Sequence, residues 1–203
     1  MKICKLLLAT SGASVLLVAL VAGASARNLS VSNQSISGMW SSFEFNLPGA
    51  TTRCHITLEG SLHSRTMPKL AGSLIGYITR ATVGPCLSFT ATLLRETLPW
   101  HVRYSGFEGA LPQITSIRAH IINFSYRLRE FGGINCLARS SETRPVVVTF
   151  HRNTVSREIT EAGISGRVPT GIECFNIEGT FRSDSGAISL LGTQNVRISV
   201  SLI

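Results

Sequence analysis

Ile122-Asn123-Phe124-Ser125-Tyr126-Arg127-Leu128-Arg129 alternates apolar and polar side chains without a break, and Val196-Arg197-Ile198-Ser199-Val200-Ser201-Leu202 does the same. Successive side chains of a strand point to opposite faces, so each pattern describes a strand with one buried and one wet face. Working outward, Cys54, Ile56 and Leu58 alternate with His55, Thr57 and Glu59, and Trp100, Val102 and Tyr104 alternate with His101, Arg103 and Ser105. Further strands are expected near 29–37, 39–46, 72–83, 87–94, 145–152, 173–182 and 186–191. Turn-forming pairs such as Pro48-Gly49, Gly84-Pro85, Gly132-Gly133, Ser185-Gly186 and Gln194-Asn195 punctuate them. The expected fold is all-β: an antiparallel β-sandwich or a small β-barrel of roughly 10–12 short strands.

The first 26 residues stand apart. Lys2 and Lys5 make a basic end, Leu6 to Val21 an apolar run, and Ala24-Ser25-Ala26 a small-residue cleavage site. That is the pattern of a helical signal peptide cleaved after Ala26, and it places the product outside the cell or in its envelope. Contact with a membrane is expected only through this leader, before cleavage. A retained anchor is the alternative, but Leu6–Ala22 lies at the short end of the spanning range and Ser11-Gly12 interrupts it. Residues 27–203 then form one disulfide-bonded all-β domain, long enough to bury roughly 70% of its unfolded surface.

In an oxidising compartment Cys54, Cys86, Cys136 and Cys174 are expected to form disulfides rather than hold metal, since no Cys-x-x-Cys pair occurs. Four cysteines allow three pairings. A hairpin turning near residue 70 would set Cys54 opposite Cys86, which favours Cys54–Cys86 and Cys136–Cys174. The same register sets Leu58 opposite polar Thr82, so the alternatives stay open.

Without Lys2 and Lys5 the chain has 17 basic and 11 acidic residues, and all the basic ones are arginine except Lys69. The arginines are scattered and form no stripe, so no nucleic-acid partner is expected. No cofactor or metal is expected either. His55, His63, His101, His120 and His151 show no ligand spacing, and eight strand residues would separate His55 from His63 by about 26 Å. Gly163-Ile164-Ser165-Gly166 lacks the form of a nucleophile elbow, and Asp184 reads as a turn residue. Glu59, Glu108, Glu173 and Glu178 are candidates for a glycosidase pair that sequence alone cannot bring together. The catalytic residues are therefore none. A candidate binding group is Trp100, His101, Arg103 and Tyr104, which would suit stacking on sugars if exposed; Trp40, Phe43 and Phe45 form a second aromatic group.

Several blocks resemble a group of exported proteins of unassigned function from high-GC actinobacteria. They are Arg27-Asn28-Leu29-Ser30, Thr57-Leu58-Glu59-Gly60-Ser61-Leu62-His63-Ser64-Arg65-Thr66, Gly72-Ser73-Leu74-Ile75-Gly76-Tyr77-Ile78-Thr79-Arg80-Ala81, Thr97-Leu98-Pro99-Trp100-His101-Val102 and Leu190-Leu191-Gly192-Thr193. The resemblance implies a bacterial exported protein whose sequons at Asn28, Asn33 and Asn123 are silent and whose arginines reflect codon usage. It transfers no functional residue.

The reading that follows is a non-enzymatic exported protein binding an envelope or extracellular polymer. The alternative is a secreted β-barrel holding a small apolar ligand, which requires a dry cavity lined by alternate strand residues. A hydrolase and an outer-membrane barrel rank below both; the chain has few aromatic residues for membrane girdles and ends in Ile203.

Overall fold

The structure, a computed structural model, describes residues 28–47, 50–88, 90–129, 135–174, 176–193 and 196–203, with the side chains of Ala50 and Glu173 also outside the description. The expected leader, 1–26, lies outside the described residues. The rest is a set of antiparallel strands: β1 (Asn28–Val31), β2 (Ser35–Leu47), β3 (Ala50–Leu62), β4 (Thr66–Pro68), β5 (Leu74–Cys86), β6 (Thr90–Leu93), β7 (Trp100–Ala110), β8 (Gln113–Ile122), β9 (Ser125–Arg129), β10 (Asn135–Arg139), β11 (Val146–Arg152), β12 (Ile159–Pro169), β13 (Glu178–Ser183), β14 (Ala187–Leu190) and β15 (Val200–Leu202). The count exceeds the expected 10–12 because pieces of three to five residues, such as β4 and β15, are too short to show a period. The chain expected as one strand over 173–182 instead begins with a short 3-10 turn at Ile172–Cys174.

The main sheet runs β13-β12-β11-β8-β7-β5-β3-β2-β14, and β13 also pairs with β2. That second pairing, Thr180 to Asn46 through Arg182 to Glu44, closes eight strands into a ring. Of the two expected architectures, the barrel is the one formed. Each strand meets its neighbour after a tight turn or a short excursion, so the order is a simple meander, and closure pairs the two outer strands β13 and β2 with each other.

Bulges set which residues face inward. Between Trp40 and Phe43 the register of β2 against β3 shifts, so Ile36, Gly38 and Trp40 share the interior with Phe43 and Phe45 despite the change of parity. Between Cys54 and Ile56 the register of β3 against β5 shifts in the same way. Cys54 faces Cys86, yet Leu58 then faces Ala81 rather than Thr82. The conflict expected from a uniform register is resolved by one bulge.

Alternation over 122–129 also hides a turn. β8 ends at Ile122, Asn123 takes a left-handed φ of 69°, and β9 starts at Ser125. Asn123 is thus a turn residue rather than a strand residue, a conformation asparagine tolerates. The redirected β9 joins β6 and β10 in a small sheet across one end of the barrel. A second small sheet, β15-β1-β4, lies across the other end.

Candidate functional site

The two ends of the barrel are filled differently. At the β9 end the interior is an aromatic plug: Phe43, Phe45, Phe124, Tyr126 and Phe181 are buried, with Phe43 to Phe181 at 5.4 Å and Phe45 to Tyr126 at 4.8 Å between ring centroids. Both disulfides sit here. Cys54–Cys86 ties β3 to β5, and Cys136–Cys174 ties β10 to the 3-10 turn that follows β12. Two disulfides fit an extracellular or otherwise oxidising environment.

Toward the other end the side chains become aliphatic and smaller, and they do not fill the space. A cavity of about 100 Å³ remains. Its wall follows the two-residue period of the strands: Ile36, Gly38 and Trp40 on β2; Leu58, Gly60 and Leu62 on β3; Ile117, Ala119 and Ile121 on β8; Val148 and Phe150 on β11. The wall is apolar almost throughout. Eight strands enclose an interior just wide enough for side chains or one small ligand. The small side chain of Ala119 leaves part of it open, whereas the space beside Gly38 is taken by Trp40 and Ile188 and that beside Gly60 by the Tyr77 backbone.

The β15-β1-β4 sheet closes this end from above. Val31, Met67 and Val200 of this sheet, with Ile198 just before β15, line the cavity. Arg152, only 8% exposed, fastens this cap: Nε donates to the Val200 carbonyl at 2.9 Å and Nη1 to the Ile114 carbonyl at 2.8 Å. Burial, with Arg157 nearby, lowers its pKa from the ordinary arginine value. Ser32 and Ser199 add reciprocal bonds, Ser32 N–H to the Ser199 carbonyl and Ser199 N–H to Ser32 Oγ, both at 3.0 Å.

Trp40 forms part of the wall where β2 changes partner from β14 to β13. β2 pairs β14 through Ile36–Met39 and β13 through Glu44–Asn46, so the stretch between has no strand partner on that side. The Trp40 indole N–H bridges the gap to the Ala162 carbonyl at 2.8 Å. Gly186 packs so closely on the indole that a Cβ there would lie 2.4 Å from Nε1.

The binding residues expected from sequence do not form one surface. Trp100 is fully buried on Phe124 at 4.8 Å, with its indole N–H bound to Thr97 Oγ1 at 2.7 Å. Tyr104 is buried as well, its hydroxyl without a hydrogen-bond partner among the described residues, and burial raises its pKa. His101 is half-buried in ring contact with Tyr77, and Arg103 pairs with Glu142 at 2.7 Å. The strand's two-residue period divides the four between interior and exterior, so no aromatic platform is presented to a polymer.

Of the four candidate carboxylates, the three whose side chains are described each meet a different arginine. Glu59 meets Arg80 at 3.1 Å, Glu108 meets Arg118 at 3.6 Å, and Glu178 meets Arg144. The Glu173 side chain lies outside the described residues. No group of three or more metal-ligating side chains occurs among the described residues. Many arginines are thus used in ion pairs on the outer face, Arg53 with Glu44 among them.

The cavity residues were missed because each of their strands reads like any half-buried strand. One signal was present: Ala119 is small where the inward residues on either side of it, Ile117 and Ile121, are large. Comparison with protein-family models, curated proteins and solved structures gives no match.

Proposed function

We propose that the protein is a non-enzymatic exported carrier that encloses a small apolar molecule between the aromatic plug and the β15-β1-β4 cap. The observation that carries this reading is the apolar cavity of about 100 Å³ lined by alternate residues of adjacent strands. A dry cavity of roughly 150 Å³ with walls of this chemistry accepts benzene, so the occupant is of about that size: a single small ring or a short branched chain. Export rests on Lys2 through Ala26 as a leader and is supported by the two disulfides. Polymer binding at the cell envelope ranks below this reading, since Trp100 and Tyr104 are interior. A membrane-spanning barrel would carry apolar residues outward and polar ones inward. Here Arg53, Glu59, Arg80 and Arg118 are partly or fully exposed and the enclosed wall is apolar.

Thermal unfolding in benzene or cyclohexane, against a polar solute of equal volume, tests the proposal. A ligand at a hundred times its Kd stabilises the folded state by about 2.7 kcal/mol, which for a domain of this size raises Tm by about 5–10 °C. The apolar solutes are expected to give that rise, the polar one none. Ala119→Leu, which fills the cavity, is expected to remove it. Equal shifts in the two proteins, or no shift in either, would overturn the reading.

A further inference from the structure

The meander sends alternate connections to the same end of the barrel. The cap end carries the segment 63–73, the β7–β8 turn at 111–112, the β11–β12 turn at 153–158 and the chain leading into β15. Each of these presents a large apolar side chain to solvent: Leu70 (69% exposed), Leu111, Val155 (89% exposed), and Leu191 and Val196. A single exposed apolar residue needs no explanation, but one on each of four connections around one rim does, the polar β1–β2 connection at 32–34 being the exception. The same four segments hold Arg65, Lys69, Arg157 and Arg197 against the single acid Glu158, with which Arg197 pairs at 3.9 Å. The rim therefore combines apolar tips with an excess of positive charge. It also surrounds the cap that covers the cavity.

We infer that this rim docks onto an anionic lipid surface, the apolar tips entering the headgroup region and the cations meeting lipid phosphates. Small apolar molecules partition into bilayers, so docking there would set the cavity against their source. The inference goes beyond the carrier reading and takes its purpose from it.

The test is co-sedimentation of the disulfide-bonded protein with vesicles of phosphatidylcholine alone or mixed with phosphatidylglycerol. Three proteins are compared: the natural chain, Leu70→Ser with Val155→Ser at the rim, and Leu87→Ser with Ile172→Ser, which removes exposed apolar residues at the plug end. All three are taken as the product cleaved after Ala26, so no leader contributes and the difference between the two variants carries the result. The natural protein is expected to bind the anionic vesicles, the rim variant about tenfold more weakly, and the plug-end variant within about twofold of the natural protein. Binding that ignores lipid charge, a rim variant that binds like the natural chain, or equal losses in both variants would overturn the inference. Benzene-induced stabilisation of the same proteins in solution separates this failure from failure of the carrier reading: rim variants should keep it whole.

Discussion

The indole N–H of Trp40 donates to the carbonyl of Ala162 at 2.8 Å, joining β2 to β12 where β13 has given way to β14. A closed barrel has no free edge, but this one has a seam, and a side chain supplies the hydrogen bond that a ladder would otherwise provide. Trp40→Phe leaves the Ala162 carbonyl without that donor and opens space beside the cavity. We expect a loss of about 2–4 kcal/mol in urea unfolding. A loss below about 1 kcal/mol would mean the seam is held elsewhere.

Arg152 performs a similar task for the cap, its guanidinium holding the carbonyls of Val200 on β15 and Ile114 on β8. Arg152→Met keeps most of the stem's packing and removes both donors. Amide hydrogen exchange in β1 and β15 is expected to accelerate by more than tenfold while β3 and β5 stay protected. Release of a bound apolar probe should quicken in parallel, because the cap covers the cavity. Uniform loss of protection across all strands would instead make Arg152 a general stabiliser.

How much of this was legible in the chain depends on the distance over which each decision is taken. Period-two alternation exposed the strands because it is a property of neighbours in sequence. Closure was hidden, since it rests on Thr180–Arg182 finding Glu44–Asn46, a pairing no local pattern encodes. The bulge at Trp40–Phe43 was hidden too: two serines, Ser41 and Ser42, break the parity and bring residues 40, 43 and 45 to one side. The candidate group at Trp100–Tyr104 illustrates the converse. Its aromatics were conspicuous, but a residue's chemistry does not say which face of a closed sheet it occupies.

Both disulfides brace the plug end. Their sequence separations are 32 and 38 residues, so each contributes roughly 3–4 kcal/mol if it acts by restricting the unfolded chain. Replacing Cys54 and Cys86 by serine should lower stability by about that amount in chemical denaturation. Apolar-ligand affinity should change less than about threefold, because the cavity lies toward the other end. Loss of ligand binding in a protein still folded would show that the plug shapes the cavity.

His120 on β8 stands opposite Arg103 on β7 and Val147 on β11. Burial, with Arg118 adding to it, lowers its pKa below the ordinary imidazole value of 6.5. The unfolded chain therefore takes up this proton more readily than the folded one. The stability linked to His120 is fully present above pH 6.5 and is lost as pH falls through the folded-state pKa. Urea midpoints at about pH 7.5 and about pH 5.5 should differ, and His120→Gln should narrow that difference. An unchanged difference would assign the acid sensitivity to other groups.

The carrier reading rests on an apolar cavity inside the barrel, and structure determination under xenon pressure tests it most directly. Xenon enters dry apolar cavities of this size. It is expected to appear between Trp40, Leu58, Ile117 and Val148, and to be excluded from the same place in Ala119→Leu. Side chains filling that space, or ordered water in place of xenon, would contradict the carrier reading.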